Sequence, residues 1–360
     1  GIAIVGRRRQ LLVFHDLLCH GRGYRGRCGN ERTGGDLLFQ TSQAGIEALG
    51  VQRKLRLAHI ENTQLRIHPA AGRAGKTRQG LLQQGHDAHQ LTAGNHFSKS
   101  CGFPALGHAG EHRHTGTAGG LQVDILPDAG LDIGQVRFKG INMTFISKNG
   151  YDSPAAIAPY ETEFLNTFPG GMLYTCGLRS TGGAHRDGDE WHPLHGRYHS
   201  LLAENVCAEV EGDIVVIKGT MRETALFGHN LVLKRTIRIP VFGAEIAVSD
   251  ELTNFAHQSE EYALLYHCNF GYPLISEKAR LELPEDRKTS PRTPFAATGL
   301  GRETTFDAPA PGEEERVFFH ENMEKKVALV NPAVGIKMTL AWSDSLPILA
   351  HWRSMASGDY

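Results

Sequence analysis

Hydrophobic and polar residues alternate along the chain from Leu121 onward. Leu121, Val123 and Ile125 are separated by single polar residues, and the same alternation recurs in residues 336–342. Because successive side chains of a strand point to opposite faces, this period of two predicts strands with one buried face. Residues 121–360 are therefore expected to consist mostly of β-strands.

Many short segments of this region carry the strand pattern. They are residues 135–138, 143–146, 172–176, 205–210, 214–219, 231–239, 245–253, 262–267, 316–320 and 327–330. Glu211-Gly212-Asp213 predicts a tight hairpin between two of them. Only residues 159–168, bounded by a proline at the start and by Pro169-Gly170 at the end, predict a helix. Closely spaced strands with almost no helix predict an all-β protein, built as an antiparallel sandwich or barrel.

The first 120 residues have a different composition. They hold 10 of the 19 histidines and 21 of the 42 glycines but none of the three tryptophans, and their apolar residues follow no sustained period. Such a sequence buries too little apolar surface to offset the entropy of ordering the chain. We expect residues 1–120 to be poorly structured, either as a disordered extension or because part of the segment is read in a wrong frame. The folded domain is then predicted to comprise residues 121–360.

The charge of the chain divides at the same place. Residues 1–120 carry a formal charge of +9 and the remainder −10, which leaves −1 overall. A basic segment can bind nucleic acid or a membrane, but here it coincides with the part whose order and origin are in question, so neither partner is predicted. No apolar stretch is long enough to cross a bilayer. The six cysteines show no paired spacing, which is typical of reduced thiols and favours a cytoplasmic protein.

Candidate chemistry is concentrated in residues 191–200, which read WHPLHGRYHS. His192, His195 and His199 are crowded here around Arg197. Histidine titrates near neutral pH and arginine holds a fixed, forked positive charge, so the stretch suits acid–base chemistry on a neutral polyhydroxy ligand. We interpret it as half of a site.

A second stretch, residues 262–273, supplies the other half. His267 and Asn269 follow an apolar run that a glycine and a proline then end. Alternation along a strand puts these two side chains on one face and Cys268 on the other. We therefore predict that His195, Arg197, His267 and Asn269 converge on one concave face.

Five blocks of sequence, in order, resemble the signature blocks of the DUF4432 family. They are LQVDILPDAGLDI (121–133), FPGGMLYTCGL (168–178), PLHGR (193–197), YHCNFGYP (266–273) and HWR (351–353). That family belongs to the galactose-mutarotase-like superfamily of aldose 1-epimerases. The resemblance covers residues 121–360 and implies a β-supersandwich, in which two large antiparallel sheets pack face to face and one open face carries a sugar cleft.

The resemblance also implies roles for individual residues. His267 lies in the block that supplies the general-acid histidine, and His195 lies in the block whose histidine binds or polarises the sugar. Interconverting anomers requires one group to protonate the ring oxygen while another removes the anomeric proton, so a histidine and a carboxylate suffice without metal or cofactor. The remaining candidates are Arg197, Asn269 and Asp132 for hydroxyl recognition and Trp352 for stacking on the sugar.

Two positions depart from the family pattern. Ala129 stands where the family usually has arginine, and the block with the superfamily's catalytic glutamate is expected beyond Tyr360. We therefore expect this fragment to have little or no activity. The function predicted is an aldose 1-epimerase-like enzyme acting on a small-molecule sugar, and the alternative is a carbohydrate-binding protein without turnover on the same scaffold.

Structural interpretations of the same residues stay open. His195 fits a turn beside Gly196, His267 a satisfied core histidine and Asp132 a side chain that closes a turn. Trp352 fits a core aromatic.

The other histidines of the first stretch are expected to be solvated. His192 and His199, taken with His185 and His195, also leave a metal site open, although no single element would place all four on one face.

Overall fold

A computed structural model describes residues 2–7, 57–69, 113–151, 160–321 and 323–355. The strands in chain order are β1 (Ile2–Arg7), β2 (Leu57–Pro69), β3 (Arg113–Gly116), β4 (Leu121–Leu126), β5 (Asp132–Phe138), β6 (Ile141–Asn142), β7 (Tyr174–Cys176), β8 (His185–Asp187), β9 (Glu190–His192), β10 (Glu204–Glu211), β11 (Ile214–Thr224), β12 (Asn230–Pro240), β13 (Glu245–Asn254), β14 (Ala263–Cys268), β15 (Arg280–Glu282), β16 (Lys288–Pro291), β17 (Arg316–Glu321), β18 (Lys326–Asn331), β19 (Ile336–Ala341) and β20 (Ile348–Arg353). Two short helices are α1 (Phe164–Thr167) and α2 (Pro294–Ala297). The predicted all-β class is confirmed.

Two antiparallel sheets dominate the fold. One has six strands in the order β16-β17-β20-β1-β14-β7, and the other has eight in the order β10-β11-β12-β13-β2-β19-β18-β15. A four-stranded sheet, β3-β4-β5-β6, and the hairpin of β8 and β9 complete the described part. A single apolar cluster joins side chains such as Leu264 and Tyr266 of the six-stranded sheet to Leu233 and Ile237 of the eight-stranded sheet. The two large sheets therefore enclose one core.

Strand alternation explains most of this arrangement. From Leu233 to Ile239 of β12, the buried residues Leu233, Arg235, Ile237 and Ile239 alternate with the more exposed Lys234, Thr236 and Arg238, as the period of two requires. At the start of the strand, Leu231 and Val232 are both buried. The predicted hairpin is also present, because Glu211 of β10 pairs with Ile214 of β11. In contrast, β14 is buried at all six positions. One face of β14 faces the core, so its other face must be covered by a different part of the chain.

Three strands come from the first 120 residues, where the sequence predicted none. β1 pairs with β14 and β20, β2 pairs with β13 and β19, and β3 pairs with β4. The alternation in β2 is confined to its second half, where Leu65 and Ile67 are buried, and it is too short to stand out among glycine-rich neighbours. Of the residues predicted to be poorly structured, 1, 8–56 and 70–112 lie outside the described residues.

Other differences are local. The predicted helix over residues 159–168 is reduced to the four residues of α1, preceded by turns, and Pro159 lies outside the described residues. Residues 143–146, predicted as a strand, form isolated bridges only. No helix in the described ranges has the length and apolar character needed to span a membrane.

Candidate functional site

The candidate site lies on the face of the six-stranded sheet that points away from the core, called here the outer face. Cys176 of β7 pairs with Leu265 of β14, and Tyr174 pairs with His267. Since alternate residues share a face, this row continues across β20 with Ala350. The outer face is covered by Phe164 and Phe168 of the α1 region and by Leu194, which form a second apolar cluster with these strands.

His267 lies at the centre of this face and is 8% exposed. Its ring is 6.0 Å from that of His195, 5.5 Å from that of Trp352 and 6.0 Å from that of Phe168, measured between centroids. Burial, and secondly the neighbouring His195, hold the pKa of His267 well below the usual range. Its Nδ1 atom has no hydrogen-bond partner among the described residues. The ring is therefore neutral at pH 7 and keeps one nitrogen uncommitted.

His195 reaches the same face from a strained turn. Its φ angle is +61°, followed by +76° at Gly196, and a side chain at Gly196 would collide with the carbonyl oxygens of Ser180 and Gly177 at 2.3 and 2.4 Å. The left-handed region is costly for residues other than glycine, and such strain is concentrated at functional sites. The turn aims the imidazole at His267 and against Phe164, whose ring centroid is 5.1 Å away.

The hydrogen bond of His195 assigns its neutral tautomer. Its Nδ1 accepts the backbone N–H of Gly182 at 3.3 Å, so in the neutral ring the proton is on Nε2. Burial lowers the pKa of His195 to about 4, against the smaller upward effect of Glu315. At neutral pH this imidazole is an N–H donor.

Trp352 borders the site beside His267 and donates a hydrogen bond to a carboxylate that the sequence analysis missed. Its indole Nε1 donates to Glu315 Oε2 at 2.5 Å, and the other oxygen of Glu315 forms an ion pair with Arg292. The only sequence signal for Glu315 was its position directly before the strand predicted over residues 316–320. Nothing in the local pattern identified Arg292.

Arg197 is committed elsewhere. Its Nη2 donates to the carbonyl oxygen of Trp191 at 2.6 Å, and its Nη1 lies 3.8 Å from Glu190 and 3.9 Å from Glu223. The guanidinium therefore belongs to an acidic cluster behind the turn of His195. The expected convergence is seen for the two histidines, whereas the charge of Arg197 is already balanced.

Asn269 is 2% exposed and follows the end of β14. Its side-chain N–H groups donate to the carbonyl oxygens of Gly171 at 3.0 Å and His267 at 3.3 Å. These bonds fix the backbone on which His267 is carried. The Oδ1 atom has no partner among the described residues, so Asn269 keeps one acceptor.

Asp132 lies in the core rather than at the site. Its carboxylate accepts from Arg235 at 2.6 Å and from the backbone N–H and hydroxyl of Thr175 at 2.7 and 2.6 Å. Arg235 also pairs with Asp250, to which Tyr266 donates a hydrogen bond. Burial raises the pKa of Asp132 to about 6, against the opposing effect of Arg235. Both carboxylate oxygens of Asp132 are occupied and the residue is only 2% exposed. Asp132 therefore stabilises the core and does not bind sugar hydroxyls.

His192 and His199 were expected to be solvated, and this prediction is wrong. They are 5% and 2% exposed. The ring of His192, at the end of β9, stacks on that of His185 at 5.1 Å, and the ring of His199 packs against Phe164 on the outer face. The His199 ring stacks on Tyr174 at 5.2 Å, and burial lowers its pKa to about 3. Within the described ranges, no group of three or more His, Cys, Asp or Glu side chains has the geometry to hold a metal ion.

The comparisons with known proteins agree with this architecture. Residues 108–360 match DUF4432, a domain of unknown function, and the chain belongs to that family. A crystal structure from Klebsiella pneumoniae subsp. pneumoniae MGH 78578, of a protein proposed to be an aldose 1-epimerase, is 24% identical with a TM-score of 0.60, over 66% of this chain and 65% of that one. The Slr1438 protein from Synechocystis sp. PCC 6803 is 14% identical with a TM-score of 0.53, over 69% and 83% of the two chains. Among curated proteins, none matches this sequence.

These similarities concern the fold. The chain spans 65% of the length of the Klebsiella structure, and at this level of identity a shared architecture does not carry residue roles with it. The roles of individual residues therefore rest on the geometry of the site.

Proposed function

We propose that this chain is a carbohydrate-active protein of the aldose 1-epimerase type, which interconverts the anomers of a small-molecule sugar on the outer face of the six-stranded sheet. The observation that carries the proposal is the pairing of His195 and His267, whose rings are 6.0 Å apart beside the indole of Trp352. Two imidazoles next to an aromatic platform suit a ligand with an apolar ring face and polar oxygens.

The proposed reaction moves two protons and breaks one bond. His267, in its protonated form, gives a proton to the ring oxygen while a base takes the proton of the anomeric hydroxyl. The bond between C1 and the ring oxygen breaks, which yields an open-chain aldehyde. Rotation about C1–C2 presents the other face of the carbonyl, and reclosure returns both protons to their donors. The Nε2–H of neutral His195 donates a hydrogen bond to a sugar oxygen and holds the ring in place.

One observation favours the second candidate, a carbohydrate-binding protein without turnover. Burial lowers the pKa of both His195 and His267 below the usual range, so both rings are neutral at pH 7. Neutral imidazoles bind hydroxyls but are not strong acids. The binding function and the enzyme therefore share a site and differ in whether His267 is protonated when the sugar is bound.

Anomer exchange measured by NMR on a panel of aldoses separates the two candidates. The enzyme predicts exchange above the spontaneous rate, reduced about a hundredfold or more in His267→Asn, with sugar binding retained. His185→Asn, which changes a histidine of the neighbouring hairpin, is the matched control and should behave as the unsubstituted chain. Binding without accelerated exchange for every sugar bound would support the binding protein.

The site of action in the cell is part of the same proposal. Cys176, Cys207 and Cys268 form no disulfide within the described part of the chain, which supports a reducing compartment and hence the cytoplasm.

A further inference from the structure

Glu223 is a buried carboxylate that the proposed chemistry does not use. In β11 the inward-facing row includes Ile217 and Met221, and the period of two places Glu223 next in that row. The residue is only 4% exposed. Burying a charge is costly unless the charge is paired and hydrogen-bonded, so a carboxylate at this position needs partners.

Both oxygens of this carboxylate have a partner. The Oε2 atom of Glu223 accepts the backbone N–H of Leu178 at 2.7 Å. The Oε1 atom lies 3.9 Å from Nη1 of Arg197. These partners come from two different segments of the chain, so Glu223 ties both segments to β11.

The two segments form the base of the turn that carries His195. Gly177 and Gly196 are joined by a parallel bridge. Leu178 and Arg197 directly follow these two glycines in sequence. The N–H of Gly177 donates to the carbonyl oxygen of His195 at 3.2 Å, and the carbonyl oxygen of Gly177 accepts the N–H of Arg197 at 2.9 Å. The buried carboxylate therefore holds the residue that follows each bridged glycine.

The turn needs this support because its backbone is strained. The φ angle of His195 is +61°, in the left-handed region that costs free energy for a residue with a side chain. In this conformation the imidazole lies 6.0 Å from that of His267. A turn without support would relax toward an ordinary φ angle, and the ring of His195 would move away from His267.

A second carboxylate, that of Glu190, also approaches Arg197, at 3.8 Å. Its side chain is 36% exposed, and it also pairs with Arg179. Exposed ion pairs contribute little because water screens them, whereas a buried charge is screened much less. The buried Glu223 is therefore the carboxylate that controls the turn.

We propose that Glu223 is the positioning residue of His195. This inference rests on the proposed function, in which the Nε2–H of His195 donates a hydrogen bond to the sugar. With Glu223 in place this donor is held at the site before the ligand arrives, whereas without it the ring must be ordered at the expense of affinity. His267 moves the proton in the proposed reaction, so loss of Glu223 should affect binding more than turnover.

The test compares Glu223→Ala with a matched control, Glu303→Ala. Glu303 is also a buried glutamate with an arginine partner, since it is 6% exposed and lies 3.0 Å from Arg287. A general loss of stability would therefore affect both variants alike. In Glu223→Ala we expect the KM, or the Kd of a sugar that is bound without turnover, to rise about fivefold to tenfold, with kcat within about threefold. Glu303→Ala should leave these constants unchanged.

A double-mutant cycle shows whether Glu223 acts through His195. In the His195→Asn background, Glu223→Ala should raise the KM by less than about twofold, because the donor that it positions is already absent. An equal rise in both backgrounds would show that Glu223 acts through another residue and would overturn the inference.

A further readout needs no sugar. Histidines labelled with carbon-13 at Cε1 report the pKa of His195 by NMR, and the spectrum of His195→Asn identifies its signal. Burial holds this pKa at about 4, and a ring that moves out of the site should titrate near the ordinary value of about 6.5. We expect this upward shift in Glu223→Ala and not in Glu303→Ala.

An unchanged pKa of His195 in Glu223→Ala would show that the turn holds itself and would refute the role. If Glu223→Ala does not fold, Glu223→Asp replaces it. The shorter side chain withdraws the carboxylate from Leu178, so the KM and the pKa of His195 should both rise, and unchanged values refute the role. Absence of sugar binding by the unsubstituted chain would instead refute the proposed function, and the titration of His195 would still decide whether Glu223 positions it.

Discussion

The imidazole of His195 meets that of His267 nearly at right angles, with the ring planes 79° apart and the centroids 6.0 Å apart. His267 is carried on β14 of the six-stranded sheet, and His195 is carried on a strained turn that packs onto that sheet. His195 therefore belongs to the surroundings that lower the pKa of His267, whereas burial lowers the pKa of His195. The protonation of His267 is then the quantity that controls the proposed chemistry.

The first prediction concerns the pH dependence of anomer exchange. Burial and His195 lower the pKa of His267 well below 6.5, so the fraction of protonated His267 grows about tenfold for each unit by which the pH falls toward that pKa. If protonated His267 is the acid, kcat/KM should rise as the pH is lowered from 8 to 6, after subtraction of the spontaneous reaction. A rate that is constant over this interval would mean that His267 acts as a neutral group.

The second prediction is that Asp132 stabilises the fold and does not bind the sugar. Replacing Asp132 with asparagine leaves the buried guanidinium of Arg235 with Asp250 as its remaining carboxylate partner, and breaking a buried ion pair typically costs about 3 kcal/mol or more. We expect the free energy of unfolding in urea to fall by about that amount, while the KM for any active sugar is unchanged. The exposed Asp213→Asn is the control. A raised KM with an unchanged free energy of unfolding would show that Asp132 binds the sugar.

The third prediction concerns stability in acid. The pKa of His199 is about 3 in the folded protein and about 6.5 in an unfolded chain. Between these values only the unfolded chain takes up the proton, so this histidine destabilises the fold progressively as the pH falls below 6.5. In His199→Phe, whose ring can still stack on Tyr174, the loss of unfolding free energy from pH 6.5 to pH 5 should shrink by up to about 2 kcal/mol.

Denaturant titrations at the two pH values measure this difference. The exposed His257→Phe should leave the acid-dependent loss unchanged. An equal loss in His199→Phe and in the unsubstituted chain would show that His199 is protonated in the folded state.

The sequence predicted the fold well because strand alternation is a local property. The hairpin around Gly212 and the edges of β12 and β13 follow directly from residues next to one another. The pairing of His195 with His267 was also accessible, since the face of His267 follows from alternation within β14. The resemblance to the DUF4432 family indicated that the stretch containing His195 would meet the face of β14 that carries His267.

The rest depended on contacts between distant parts of the chain. Asp132 and Glu315 are both carboxylates near predicted strands, and no local pattern distinguishes them. Only the three-dimensional arrangement shows that Arg235 occupies an inward position of β12 and takes Asp132 as its partner. In the same way, Arg197 lies in the predicted stretch of residues 191–200. Its guanidinium, however, lies near the carboxylates of Glu190 and Glu223 and does not reach the site beside His195.

The last prediction tests the indole of Trp352 as a platform for the sugar. Trp352→Phe keeps an aromatic face beside His267 but removes the N–H that donates to Glu315 at 2.5 Å. If the sugar stacks on this side chain, its affinity should stay within about threefold in Trp352→Phe and fall about tenfold or more in Trp352→Ala, because burying a large apolar side chain contributes about 1.5–3 kcal/mol. Isothermal titration of the sugar with both variants measures the difference. Equal affinity in Trp352→Ala and in the unsubstituted chain would show that the sugar does not stack on the indole.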